Sequence, residues 1–189
     1  TAAENLALEV DKDPRLVQLI LDESKEVVAK RPGVLIVEHR MGYVHANAGI
    51  DHSNISSSED EPRVLLLPEN PDKRAAKLCQ ELKTEQVSKL SIIINDSAGR
   101  AWRNGSIGFA IGTNGFEVVE NMVGHRDLYD REMVVTEVAV ADELAAAASF
   151  LMGQADESAP VVLIRGAQTK PSNEGSAALI REKNKDLFR

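Results

Sequence analysis

The chain has 189 residues, 43% hydrophobic and 28% charged, which is enough to bury a core as one globular domain, alone or with a smaller lobe. Its formal net charge of -8 argues against a nucleic-acid binder, because affinity for phosphate backbones comes from clustered Lys and Arg. No apolar run approaches the roughly 20 residues of a membrane span, no signal peptide is found, and Cys79 is the single cysteine, so we expect a cytoplasmic protein.

The first part of the chain predicts a helix followed by a hairpin and a loop. Asp13 can cap a helix, Pro14 fits its first turn, and the apolar stripe that follows continues to residue 30. Two short strand-like runs separated by Arg40-Met41-Gly42 predict a tight hairpin. The elements expected here are a helix over 13–30, strands over 34–39 and 43–48, and an exposed acidic, serine-rich loop over 55–62.

The remainder predicts short strands and two more helices, the last of which stops at Gly153. Hairpins rather than regular strand-helix-strand units favour an α+β or mixed α/β fold with short mixed sheets and three main helices. Neither GxxxxGK[ST] nor GxGxxG occurs, which excludes a P-loop and a Rossmann fingerprint. The expected elements are strands over 63–67, 89–94, 106–112, 116–119, 133–138 and 160–165, helices over 71–86 and 144–152, and a polar tail over 167–189 with a Leu187-Phe188 anchor.

A polar cluster follows the predicted buried strand over 89–94. Asp96 and Ser97 come first, and Arg100 and Arg103 stand a few residues later. A buried carboxylate needs a cation, several donors or water. Two interpretations therefore stay open: Asp96 forms a structural salt bridge with these arginines, or it belongs to a ligand or metal site. We interpret the single tryptophan inside this cluster as a packing residue.

Two further polar points stand at the ends of apolar elements. Asp51 and Asn54 follow the predicted hairpin, and Gln154 follows the helix stop. Carboxylate, hydroxyl and amide oxygens are hard ligands, so Asp51 and Asp96 with neutral oxygens suit Mg²⁺ or Mn²⁺ better than zinc. A divalent ion there would also bring phosphate oxygens, as nucleotide sites require.

Six segments, in the same order as in the family, give the chain a resemblance to the coenzyme F-420 gamma-glutamyl ligase family. The enzymes of this family add L-glutamate to a deazaflavin cofactor precursor with GTP. The segments are KDPRLV at 12–17, ANAGIDHSN at 46–54, PENPD at 68–72, DSAGRAWR at 96–103, VADELA at 140–145 and MGQ at 152–154, with residues 160–166 behind them.

The resemblance implies ligands residue by residue. It assigns Asp51 and Asp96 to one divalent ion, and Ser97 and Gln154 to a second, with Mg²⁺ or Mn²⁺ as the metal and K⁺ as an optional further ion. Separately from the resemblance, the planar donor forks of Arg100 and Arg103 suit phosphate or substrate carboxylate oxygens, so we expect these arginines to contact them. The implied GTP contacts are Asn54, Met152, Gly153, Gln154, Ala155, Asp156, Glu157, Ser158 and Ala159.

The resemblance also implies an activity and an assembly. We expect a two-lobed homodimer that binds the coenzyme F-420 precursor, L-glutamate and GTP, and that forms the amide through an acyl phosphate. The alternatives are the same ligation on another carboxylate acceptor, and a non-catalytic regulatory or assembly module of the same fold. Two departures stand out: Ala101 replaces the proline usual in the family, and residues 1–189 are expected to be a single ligase core domain without the family's N-terminal segment.

Overall fold

The computed structural model describes residues 1–58 and 60–187, and these form two compact units. Helices and short antiparallel strands make up both units, which confirms the α+β class. None of the described helices is long and apolar enough to cross a membrane. Glu59 in the acidic loop and Phe188 of the expected C-terminal anchor lie outside the described residues. The first unit comprises Thr1–Pro68, Ala98–Ser106 and the segment from Glu182, and the second comprises Glu69–Ser97 and Ile107–Arg181.

The first unit packs two helices on a three-stranded antiparallel sheet of order β1-β2-β3. Its core is aliphatic, with Val10 and Ile20 from the helices against Leu35 and Val37 from the central strand. Burial of these side chains from both layers is the main force that holds the helices to the sheet. The elements are α1 (Ala2–Val10), α2 (Pro14–Asp22), β1 (Ser24–Arg31), β2 (Val34–His39), β3 (Val44–Ala46) and a 3₁₀ turn at Asn47–Gly49.

The helix predicted over 13–30 is correct at its start and wrong after Asp22. Asp13 caps α2 by accepting a hydrogen bond from the backbone N–H of Arg15 at 2.8 Å, with Pro14 in the first turn. Residues 24–31 instead form β1, which pairs with β2. Pro32-Gly33 is therefore a hairpin turn, and Gly33 has the φ of 79° that such a turn requires.

The structure contains a short first helix, α1, that was not predicted from the sequence. Thr1 and Glu4 form a capping box at the start of α1, in which the Thr1 hydroxyl accepts from the backbone N–H of Glu4. A Thr-x-x-Glu spacing is a recognised helix-start signal. We expected three main helices, and the described residues contain four α-helices.

The second unit packs helices closely against a long hairpin. A Cβ at Gly112 would lie 2.7 Å from the carbonyl oxygen of Pro71, and one at Gly108 would collide with Ser149, so only glycine allows these approaches. Small core residues such as Ala141 and Ala145 also allow close packing of a helix against its neighbours. The remaining elements are α3 (Pro71–Leu82), β4 (Ile92–Arg100), β5 (Arg103–Asn114), β6 (Glu120–Asn121), β7 (Glu137–Val138) and α4 (Val140–Met152). The long hairpin consists of β4 and β5, and its tip, Ala98–Ser106, belongs to the first unit.

Several predicted strands are wrong or misplaced. The strand expected to end at residue 94 runs to Arg100, so Asp96 and Ser97 lie inside β4 and not after it. The run over 160–165 forms no described strand, and Val161 is 82% exposed, so apolar composition there did not mean burial. The runs over 63–67 and 116–119 form no regular strand, although Leu65 makes an isolated bridge with Asp51.

Candidate functional site

The turn that carries Asp51 is held in an unusual backbone conformation. Asn47, Ala48 and Gly49 have φ values of 52°, 55° and 68°, a left-handed region that non-glycine residues rarely adopt. The turn is fixed afterwards by a two-way backbone bridge, in which Asp51 donates to Leu65 at 3.1 Å and accepts from it at 2.7 Å. Asp51 is therefore carried on a well-defined backbone.

The side chain of Asp51 is prepared to carry negative charge. Its Oδ1 atom accepts a hydrogen bond from the backbone N–H of Ser53 at 2.8 Å. Burial raises the pKa of Asp51, but hydrogen bonds from Ser53 and His52 outweigh this effect and hold the pKa below its ordinary value. Asn54 stands in the same turn with a φ of 54°. The structure thus brings together the predicted metal ligand Asp51 and the predicted nucleotide contact Asn54.

The second predicted carboxylate stands half-buried in β4. Oδ1 of Asp96 accepts from the backbone N–H of Ser97 at 2.7 Å, and its Oδ2 atom is buried. The preceding residue, Asn95, places its Nδ2 atom 3.8 Å from the sulfur of Met152 at the end of α4. This contact sets the strand segment with Asp96 and Ser97 beside the segment predicted to bind the nucleotide.

The end of α4 presents Gln154 in a fixed orientation. Gly153 stops the helix with φ 77° and ψ -176°, a conformation open essentially to glycine alone. The side-chain N–H of Gln154 then donates to the hydroxyl of Ser149 at 3.2 Å. The donor end of the amide is thereby engaged by the protein, which leaves the oxygen end as the group suited to a cation.

Ser149 is a residue that the sequence interpretation missed. It is buried on the face of α4 that also carries Ala141 and Ala145, at a spacing of four residues. A hydroxyl on an otherwise small apolar face was the available signal, because a buried hydroxyl needs a hydrogen-bond partner. Its partner is one of the predicted metal ligands.

The segment after Gln154 is exposed and turns back on itself. The backbone N–H of Ala155 donates to a carboxylate oxygen of Glu157 at 2.8 Å. Hydrogen bonds from the backbone of Ala155, Glu157 and Gln154 lower the pKa of Glu157. Ser158 has a φ of 53°, and its hydroxyl donates to the carbonyl of Asp156 at 3.2 Å. The predicted nucleotide segment is therefore an exposed loop that folds back on its own side chains.

The two arginines stand at the hairpin tip between β4 and β5. Arg100 ends β4 and Arg103 begins β5, with Ala101 and Trp102 as the turn. Neither arginine forms a salt bridge within its own unit in the described part of the chain, and a pairing of either arginine with Asp96, which belongs to the other unit, stays a prediction. Trp102 is 86% exposed with a φ of 63°, which contradicts its interpretation as a packing residue.

The predicted site residues fall into both compact units. Asp51, Asn54 and the two arginines belong to the first unit, while Asp96, Ser97 and the loop after α4 belong to the second. The pairing of Asp51 with Asp96 around one ion stays a prediction. Within the described part of the chain, no three His, Cys, Asp or Glu side chains gather as a metal site. The predicted ligand set contains only two carboxylates, so this finding does not decide for or against it.

Comparison with known proteins identifies the family. The family model for F420-0:gamma-glutamyl ligase matches residues 1–166. A coenzyme F420:L-glutamate ligase of Methanocaldococcus jannaschii is 44% identical over 187 residues, which cover 99% of this chain and 73% of that protein. Proteins of the same name from Methanothermobacter thermautotrophicus and Methanopyrus kandleri are 43% and 42% identical, each over 99% of this chain and over 73% and 74% of their own lengths. The chain therefore belongs to the F420-0:gamma-glutamyl ligase family.

Proposed function

We propose that this chain is a GTP-dependent ligase that joins L-glutamate to the carboxylate of coenzyme F420-0. Family membership and the names of the relatives support the ligase activity and its substrates. The structural observation that carries the proposal is the contact between Asn95 and Met152, at 3.8 Å. It sets the strand with two proposed metal ligands beside the loop proposed to bind the nucleotide.

The proposed reaction has two steps. A carboxylate oxygen of F420-0 attacks the γ-phosphorus of GTP, the bond to the β–γ bridging oxygen breaks, and GDP leaves. The nitrogen of the glutamate α-amine then attacks the acyl carbon of the acyl phosphate, the carbon–oxygen bond to phosphate breaks, and a proton passes to water. Arg100 and Arg103 are exposed and carry planar donor forks that suit phosphate and carboxylate oxygens.

The chemistry of the donor set fits the proposed metals. Asp51 and Asp96 would hold one divalent ion, and Ser97 and Gln154 a second, all through hard oxygen atoms that suit Mg²⁺ or Mn²⁺. The pKa of Asp51 lies below its ordinary value, which favours the charged carboxylate that a cation needs. When bound, such ions neutralise charge on phosphate oxygens. A bound K⁺ and a cytoplasmic location remain predictions.

A homodimer belongs to the same proposal. The end of α4 leaves large apolar side chains in solvent beside the proposed nucleotide loop, with Phe150 87% and Leu151 64% exposed. Burial of such side chains against a second copy would gain hydrophobic free energy. The proposed dimer would therefore lie close to the site.

Turnover with defined substrates tests the proposal. The protein is incubated with GTP, Mn²⁺, L-glutamate and F420-0, and mass spectrometry follows the gain of one or more glutamyl units. Asp96→Asn should lower the rate at least about a hundredfold, because it removes charge from a metal ligand. Asp60→Asn, in the exposed acidic loop, is the matched control and should match the wild type.

The outcomes separate the alternatives. Wild-type rates in Asp96→Asn would show that the site is wrongly assigned. Consumption of GTP with a different carboxylic acid but not with F420-0 would support another acceptor. A wild-type protein that makes no amide and consumes no GTP with either acceptor would overturn the ligase proposal.

A further inference from the structure

The tip of the hairpin between β4 and β5 holds a tryptophan in an unfavourable backbone conformation. Ala101 and Trp102 form the two-residue turn, and Trp102 has a φ of 63°. A positive φ at this place in a turn favours glycine or asparagine, because a large side chain is strained there. Trp102 is also 86% exposed, although an indole ring gains more from burial than most side chains do. Neither the turn nor a core explains a tryptophan at this position.

Two arginines flank the turn. Arg100 ends β4 and Arg103 begins β5, and both are exposed. Residues on either side of a two-residue turn lie opposite each other on the paired strands, so their side chains leave the same face of the hairpin. Like charges in such a pair repel each other, and neither arginine forms a salt bridge within its own unit in the described part of the chain. A bound anion would relieve this repulsion.

We infer that the hairpin tip, residues 100–103, binds the acceptor substrate of the ligase: the indole of Trp102 stacks on its deazaflavin ring, and the guanidinium groups of Arg100 and Arg103 hold an anionic group of the same molecule. A planar aromatic ring that carries an anionic group matches an exposed indole between two cations. This assignment rests on the proposed function, since it takes F420-0 as the acceptor. It goes further by naming the residue that recognises the ring.

GTP also joins a planar ring to anionic groups, but F420-0 fits the tip better. The contacts proposed for GTP are Asn54 and residues 152–159, which do not include the tip. A deazaflavin has three fused rings and guanine has two, so the deazaflavin covers more of an indole face, and the gain from stacking grows with the apolar area covered. We therefore assign the tip to the acceptor substrate.

The fluorescence of the full chain tests this assignment, because Trp102 is its single tryptophan. F420-0 and, in a separate titration, GTP with Mg²⁺ are added to the wild type, and a free tryptophan analogue corrects for the light that each ligand absorbs. We expect F420-0 to quench the emission to saturation and GTP to leave it unchanged. Quenching by GTP and not by F420-0 would overturn the inference, because the tip would then face the nucleotide.

Two variants separate stacking from folding. Trp102→Gly removes the ring and also the strain of the positive φ, so it should unfold at the wild-type temperature or above. Calorimetry should show that it binds F420-0 about tenfold more weakly, with Trp102→Phe in between, and the KM for F420-0 should rise while that for GTP stays unchanged. Tyr129→Ala, which removes another largely exposed ring, is the matched control and should bind F420-0 as the wild type does.

The outcomes distinguish this inference from the proposed function. Wild-type affinity of Trp102→Gly for F420-0, with normal amide formation, would overturn the inference and leave the ligase proposal intact. Equal rises in the KM for F420-0 and for GTP would also overturn it, because the tryptophan would then shape the site as a whole. Saturable quenching by F420-0 without amide product would support the inference and overturn the ligase proposal. Absence of both quenching and product would overturn both.

Discussion

The half-buried carboxylates of Asp72 and Asp142 in the second unit accept hydrogen bonds from distant backbone N–H groups, whereas carboxylates around the sheet of the first unit pair with cationic side chains. In the second unit, Asp72 accepts from the N–H of Thr113 at 2.7 Å and from that of Ser176 at 3.0 Å. Asp142 accepts from the N–H of Ala110 at 2.9 Å. These carboxylates join segments far apart in the chain.

In the first unit, the comparable carboxylates lie around the three-stranded sheet. Glu23 accepts from Arg40 at 2.8 Å, and Glu26 and Glu38 both pair with Lys183. The difference follows from where backbone donors are left over. The three-stranded sheet of the first unit pairs most of its own N–H groups, whereas β5 of the second unit pairs with β4 alone and keeps N–H groups without a strand partner, and buried N–H groups need acceptors. Acidic side chains supply those acceptors in the second unit.

Removal of Asp72 should destabilise the protein more than any other change considered below. Asp72→Ala would leave the N–H groups of Thr113 and Ser176 without their acceptor, and both residues are buried. At roughly 1–3 kcal/mol for each buried donor, we expect a loss of about 2–4 kcal/mol in the free energy of unfolding, measured by urea denaturation. Hydrogen exchange at those two amides should rise most.

The matched variant Asp72→Asn separates hydrogen bonding from charge. Its amide oxygen can still accept both bonds, while the favourable charge in the first turn of α3 is lost in both variants. The loss should stay below about 1 kcal/mol. Equal stability of the alanine and asparagine variants would show that Asp72 does not fasten the segment through its oxygen atoms.

Local signals predicted helix ends and turns, and they failed where tertiary contacts decide. Pro71 marked the start of α3 because proline restricts φ to a helical value, and Gly153 marked the end of α4 because glycine allows the positive φ that ends the helix. The strand predicted over 160–165 was wrong, because its apolar side chains such as Val161 and Leu163 stay largely exposed and no strand forms there. Asp51 and Asp96 were recognisable as candidates from their residue types, but Ser149 acts through a contact that only the fold creates.

Protonation of His39, in the sheet of the first unit, should make the stability of the protein depend on pH. His39 is fully buried, and its Nδ1 atom accepts from the backbone N–H of Met41 at 3.1 Å. Burial lowers the pKa of His39, the charge of Arg40 lowers it further, and Glu23 opposes both. The unfolded chain therefore binds this proton more readily than the folded chain. Stability should fall as pH drops below about 6.5, by no more than about 1.4 kcal/mol per pH unit.

A variant without the imidazole at position 39 is the control for this titration. His39→Asn keeps an acceptor near the N–H of Met41 but cannot bind the proton. The variant is less stable at neutral pH because asparagine is smaller than histidine and leaves buried volume unfilled. The informative quantity is therefore the slope of the unfolding free energy against pH, measured from about one unit above to about one unit below the ordinary histidine pKa of about 6.5. An unchanged slope in the variant would assign the acid sensitivity to other groups.

The ion pairs of Lys183 should give the smallest effect. Its side chain is 61% exposed, and its ammonium pairs with Glu26 and, at 3.6 Å, with Glu38. Exposed pairs contribute roughly 0.2–1 kcal/mol, so Lys183→Met should cost no more than that, and the difference from wild type should vanish near 1 M NaCl. Lys185→Met, which loses only a pair with Glu182 in the same segment, is the control. A cost for Lys183→Met as large as that of Asp72→Ala would contradict this difference between the units, because ion pairs would then stabilise the first unit as much as carboxylates that accept from backbone N–H groups stabilise the second.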